Sequence, residues 1–202
     1  MTGAATTATA VRVLSQLRRD PRTMALLLVV PTLLVAIFKW VYLDQPAVFD
    51  RIGVPLLGVF PLVSMFLVTS ISMLRERTLG TLERLMSMPL KRIDLLAGYG
   101  IAFGLAAAIQ GTVVSGVAFG LLDLNVSGSP FLVALLAIAN ALLGMSLGLL
   151  VSAFASTEFQ AVQFMPAIIL PQLILCGLVA PRDKMARRAG DRLRLPPDDL
   201  RV

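Results

Sequence analysis

The 202-residue chain is 57% hydrophobic and only 15% charged, and its mean hydropathy is +0.84, where soluble domains carry roughly 45–50% apolar and about 25% charged residues. One core of this size cannot hide so much apolar surface, which excludes an ordinary soluble enzyme and makes the chain an all-α integral membrane protein. The net charge is +6, but the basic residues sit in short hydrophilic segments beside apolar runs, without interleaved aromatics. That pattern orients a chain in a membrane and does not suit nucleic acid.

At the N-terminus, Ala10, Val13, Leu14 and Leu17 fall at helical spacing with Arg12, Arg18 and Arg19 off that face, and Asp20-Pro21 ends the pattern. This predicts a short interfacial helix, the alternative being a solvated arm. Five apolar runs then approach or exceed the roughly 20 residues a span needs: 24–43, 52–74, 96–122, 131–155 and 160–180. The first is read as a retained span and not a signal peptide, because no small-residue cleavage site follows and Lys39-Trp40-Val41-Tyr42 resembles an interfacial anchor.

Orientation follows from the basic residues of the connections. Arg12, Arg18, Arg19 and Arg22 precede the first span, and Arg75, Arg77, Arg84, Lys91 and Arg92 separate the second from the third. Only Arg51 falls within 44–51, and 123–130 has no basic residue. The N-terminus and the Arg75 loop are therefore expected in the cytoplasm of a multi-pass protein. Simple alternation then puts the stretch after Ala180 outside, although it carries Arg182, Lys184, Arg187, Arg188, Arg192, Arg194 and Arg201. A re-entrant last span, a missing sixth span or an atypical tail would each resolve the conflict.

The chain has no His and a single Cys, Cys176, which removes the usual zinc sites, His-based triads and internal disulfides. Gly144-Met145-Ser146-Leu147-Gly148 spells a nucleophile-elbow pattern, yet there is neither a base nor a strand to carry it. Gly144/Gly148, like Gly100/Gly104 and Gly116/Gly120, is better read as small residues for close helix packing. Gln110, Asn140, Gln163 and Gln172 are the polar groups within the spans, and Lys39 is the charge near an outer end. The scarcity of intramembrane ionisable groups argues against ion-coupled transport. Pro166 and Pro171 open or kink the fifth run, and with Gln110, Gln163 and Gln172 they are the candidate translocation path or gate. Interhelical hydrogen bonds and a simple packing kink are the alternatives.

The most informative segment runs from Arg75 to Leu90. Leu79, Leu82, Leu85 and Met86 make an apolar helical stripe among Glu76, Arg77, Glu83 and Arg84, and Pro89 ends it. Such an amphipathic helix between two spans suits docking to a cytoplasmic partner.

The segment Glu76 to Leu90 resembles the Glu-Arg-x-x-Gly-Thr-Leu-Glu-Arg-Leu stretch and Pro-Leu pair of type-2 ABC transporter permeases, the membrane subunits of drug-resistance and polysaccharide exporters. The likeness continues through Gly98-Tyr99, Gln110, Ser152-Ala153-Phe154, Glu158 to Pro166, Pro171-Gln172, Cys176-Gly177-Leu178 and Pro181-Arg182. It covers most of residues 10–185, taken as one transmembrane domain 1–185. The resemblance implies an ATPase-coupling set of Arg75, Glu76, Gly80, Thr81, Leu82, Glu83, Arg84, Leu85, Met86 and Glu158. It implies a second permease chain, as homodimer or heterodimer, and a cytoplasmic ABC ATPase subunit carrying ATP and Mg. The sequence has no Gly-x-x-x-x-Gly-Lys-Ser/Thr loop, so no cofactor is expected on this chain. A hydrophobic drug or lipid-like cargo is expected. Fifteen Arg against three Lys, with abundant Ala, suit a GC-rich bacterium and its inner membrane.

Family members continue into a sixth span, whereas 186–202 is polar and rich in Arg, Pro and Asp. A shifted reading frame across Leu195 to Arg201 permits the family's Leu-Pro-Met-Thr-Tyr-type motif, so the tail is expected to arise from a frameshift near Met185. A non-transporting membrane scaffold or assembly protein, or an inactive truncated permease, stands as the alternative function.

Overall fold

A computed structural model describes residues 2–87 and 92–175. Helices α1 (Thr2–Arg19) and α2 (Pro21–Met24) lead through a π-helical turn, Ala25–Val29, into α3 (Val30–Val41). There follow α4 (Pro46–Thr78), α5 (Thr81–Met86), α6 (Arg92–Gly120), α7 (Pro130–Phe154) and α8 (Glu158–Leu175). Among the described residues, four helical stretches are long and apolar enough to cross a membrane: Pro21–Val41, Pro46–Thr78, Ile93–Gly120 and Pro130–Phe154. They match the first four predicted runs. The fifth, 160–180, is helical as far as Leu175; its remainder and the 186–202 tail lie outside the described residues.

Residues 1–165 form one compact unit and 166–202 a second. The described part of the second is the end of α8, with Pro166 and Pro171 inside the helix. In the first unit, α4 packs along α7, and α6 packs on both α1 and α7. Two adjacent stripes at four-residue spacing bury α6: Ala102, Ala106, Gln110, Val114 and Ala118 beside Tyr99, Phe103, Ala107 and Ser115. Such spacing lines up side chains on one helix face. Ala10, Val13 and Leu17 of α1 join Tyr99, Ala102 and Phe103 in one core cluster, so the amphipathic stripe of α1 faces protein.

Glycines set the closest approaches. A Cβ at Gly148 would stand 2.6 Å from the Phe66 carbonyl oxygen, and one at Gly144 would overlap the Leu62 carbonyl. On α6, Gly98 lies under Thr9 of α1 and Gly111 under Ile138 of α7. Gly100, Gly116 and Gly120 set no such approach: among the described residues a Cβ at any of them meets nothing within 4 Å, and Gly104 makes only ordinary contact with Leu142. The physical reason is rotation. These glycines follow the buried Tyr99, Ser115 series by one residue, about 100° around the helix, which takes them off the packed face.

Candidate functional site

The basic residues before the first span and those in the last turn of α4 lie at one end of the first unit. Asp20 begins the arrangement: it is extended, and its carboxylate accepts from Arg22 N, Thr23 N and Thr23 Oγ1, capping the helix that becomes the first span. The Thr23 hydroxyl, chiefly, holds the Asp20 carboxyl below its ordinary range, with Arg75 adding to the effect.

Glu76, near the end of α4, receives two donors on Oε2. Arg12 Nη2 of α1 lies 3.2 Å away, and the Tyr99 hydroxyl of α6 donates to the same oxygen. Arg12 Nη2 also donates to the Tyr99 oxygen at 2.7 Å. Three helices are thereby joined at one carboxylate, whose side chain is only 14% exposed. Arg12 Nε is buried without a hydrogen-bond partner among the described residues, so part of its desolvation cost is uncompensated.

One residue along α4 on either side of Glu76, two arginines reach the other connection. Arg75 grips Glu158, with Nε 2.6 Å from Oε1 and Nη2 3.3 Å from Oε2, the fork-to-fork geometry of a guanidinium on a carboxylate. Arg77 Nη1 donates to the Ser152 carbonyl in the last turn of α7. The hydrogen bonds from Arg75 hold the Glu158 carboxyl below its ordinary range. Both side chains are about half exposed, 53% and 48%, so the pair contributes less than about 1 kcal/mol by itself. Its partner loop is ordered by its own hydrogen bonds: Thr157 Oγ1 accepts from Gln160 N, and Gln160 Oε1 accepts from Ser156 N. That is close to a capping box. Leu74, Ala155 and Ala161 bury together beneath it.

Gly80, with φ +70°, lets the chain turn from α4 into α5, the left-handed position for which glycine carries no steric cost. Leu82 and Leu85 pack back against the main core cluster. The exposed apolar group at this corner is Leu79, at 78%. The predicted docking stripe is therefore divided: its α5 leucines face the chain's own core, and Leu79 faces outward. Thr81 lies in the first turn of α5; the side chains of Glu83, Arg84 and Met86 lie outside the described residues.

The residues expected along a translocation path belong to α6 and α8. Gln110 is fully buried and donates from Nε2 to Ser64 Oγ of α4, while its Oε1 has no partner among the described residues. Gln163, Pro166 and Pro171 are exposed on α8, and the Gln172 side chain lies outside the described residues. Arg12 and Tyr99, absent from the predicted coupling set, are the side chains that hold Glu76. The sequence signal for Arg12 is its place off the apolar stripe of α1. No group of three or more His, Cys, Asp or Glu that could hold a metal ion occurs among the described residues.

Comparison with known proteins bears on this arrangement. The family model described as "ABC-2 type transporter" matches residues 5–189. The chain is 30% identical over 133 residues to the probable multidrug ABC transporter permease YbhR of Escherichia coli K12, an alignment covering 64% of this chain and 35% of that protein. It is likewise 30% identical over 114 residues to ABC transporter G family member 20 of Dictyostelium discoideum, covering 56% of this chain and 16% of that protein. The chain thus spans about a third or less of the length of these curated relatives. No solved structure matches. With four membrane-length helices and a family match along nearly its whole length, the chain belongs to the ABC-2 type transporter family of membrane proteins.

Proposed function

We propose that the chain is the membrane-spanning permease subunit of an ATP-driven exporter, coupled at its basic end to a separate cytoplasmic ABC ATPase that carries ATP and Mg. The observation that carries this reading is the Arg75–Glu158 fork, which ties the α4–α5 turn to the α7–α8 connection. A partner pressing on either connection would then move both. In this reading the N-terminus and α5 face the cytoplasm of a bacterial inner membrane, as the basic residues favour. A second permease chain completes the path. A hydrophobic drug or lipid-like cargo is supported by the multidrug designation of YbhR.

The test is co-purification of the tagged chain, co-expressed with the ABC ATPase encoded beside it, against Leu79→Asp and Leu82→Asp. Leu79→Asp is expected to leave the permease folded and lose the ATPase, because Leu79 is exposed, whereas Leu82→Asp disturbs the permease itself. Full ATPase recovery with a folded Leu79→Asp variant would remove the docking role of this corner. Failure of the unaltered chain to bind any ABC ATPase would favour the scaffold reading.

A further inference from the structure

A cleft of about 370 Å³ opens between α1, the start of the first span, and α4. It is at the small end of the roughly 300–1,000 Å³ range of small-molecule sites. It therefore has room for part of a lipid, a headgroup with its glycerol or the top of one chain.

Its wall changes character along α4. Leu67, Ile71, Arg75 and Leu79 line it at four-residue spacing, with Val68, Ser72 and Glu76 as the adjacent stripe. Leu67, Val68 and Ile71 are apolar inside the span, Arg75 and Glu76 bring charge near the helix end, and Leu79 lies just beyond it. A site apolar at membrane depth and polar at the boundary suits a molecule with that same division.

The charges at the rim are unequally committed. Glu76 is held by Arg12 and Tyr99, Arg75 by Glu158, and the Asp20 carboxylate by the first turn of its own helix. Arg22 also lines the cleft, is exposed, and enters neither of the ion pairs found among the described residues. Asp20 and Glu76 balance Arg22 and Arg75 in formal charge, and Arg22 is the one of the four whose side chain no hydrogen bond or ion pair holds among the described residues.

An independent feature lies on the opposite wall. Leu26 lines the cleft from within the π-helical turn Ala25–Val29, where Val30 N bonds back to the Ala25 carbonyl. Pro31 follows directly, and it can neither donate to Leu27 nor fit its ring against that carbonyl in a regular helix. Widened turns of this kind occur frequently at functional sites.

We propose that this cleft binds the headgroup end of an anionic phospholipid, with its phosphate on Arg22 and its upper chain between Leu26 and Ile71. The assignment of the lipid to the inner leaflet rests on the orientation adopted above; the site itself does not. Basic pockets between spans on the cytoplasmic side are a general means of holding such headgroups. A lipid seated here would touch α1, the first span and α4 together.

The experiment is native mass spectrometry of the full chain released from detergent after titration with phosphatidylglycerol or phosphatidylcholine. Phosphatidylglycerol is expected to be retained about fivefold better, the worth of one arginine beside an anionic headgroup. Arg22→Gln should erase that preference, and Arg19→Gln, the same charge change outside the cleft lining, should keep it. Ile71→Trp, which fills the cleft, should reduce retention of both lipids. Equal effects of Arg19→Gln and Arg22→Gln would mean diffuse attraction and overturn the site, as would equal retention of the two lipids by the unaltered chain. No ATPase enters the measurement, so its failure is separable from failure of the coupling reading.

Discussion

Tyr99 of α6 donates its hydroxyl proton to the Glu76 carboxylate of α4, and the same phenolic oxygen accepts from Arg12 of α1. The phenol is therefore a relay, satisfied on both sides. Tyr99→Phe keeps the ring, which is 1% exposed and stacked on Phe103, and removes both hydrogen bonds. Because each partner is charged, the variant is expected to lose about 1.5–3 kcal/mol of stability, read from unfolding in detergent. A loss under about 0.5 kcal/mol would show that the relay is not formed in solution.

Close packing of α7 on α4 makes a second prediction. Gly148→Ala places a methyl 2.6 Å from the Phe66 carbonyl and 3.1 Å from Thr69 Cβ, so the helices must separate. Overpacking of this kind costs about 1–3 kcal/mol. Gly116→Ala meets nothing within 4 Å among the described residues and should be neutral or stabilising by up to about 1 kcal/mol through helix propensity. Melting temperatures of the two variants measured side by side check the contrast.

The Arg75–Glu158 pair carries a pH dependence with a definite sign. Arg75 lowers the Glu158 carboxyl from its ordinary value of 4.5, so the folded state favours the ionised form. The pair's contribution is complete above that value and is lost as pH falls through the lowered one. The unaltered chain should thus hold the start of α8 more tightly than Glu158→Gln near pH 7, and the two should converge as the pH falls through the lowered value. Hydrogen exchange at residues 158–165 reads this directly; a difference that grows on acidification would contradict it.

Gln110→Leu separates a structural amide from one that serves cargo. Ser64 Oγ keeps its bond to the Phe60 carbonyl at 3.0 Å, and the substitution removes a buried carbonyl oxygen that lacks a partner. Stability should change by less than about 1 kcal/mol or rise, since deleting an unsatisfied group relieves its desolvation cost. If export falls while stability holds, Gln110 touches the cargo or its path.

Much of the fold was legible because lipid imposes a single rule: a long apolar run must be helical. Runs 24–43 and 131–155 therefore correspond closely to helices. The end of α4 was harder to read, since 33 residues from Pro46 to Thr78 include the charged Arg75, Glu76 and Arg77, and hydropathy alone stops at the first charge. The corner at Gly80 was legible in composition but not in direction. Leu79, Leu82 and Leu85 share an apolar pattern, yet the turn at Gly80 separates Leu79 from the α5 leucines and sends it outward. The Gly144/Gly148 pair lies at the α4–α7 contact, whereas the close approaches at Gly98 and Gly111 could not be read from the sequence, because a lone glycine opposite Thr9 or Ile138 has no local signature.

The length of α4 has a mechanical consequence. Thirty-three residues make a rod about 50 Å long, anchored near one end where Asp50 accepts from Asn125 N at 3.0 Å and gripped near the other by Arg12, Tyr99 and Glu158. A tilt of only about 5° about the Asp50 end would carry the opposite tip roughly 4 Å sideways. Conversely, a push of that size at the Gly80 corner reaches the far rim as a small change of angle. One continuous helix is in this sense both the wall of the bundle and its lever arm.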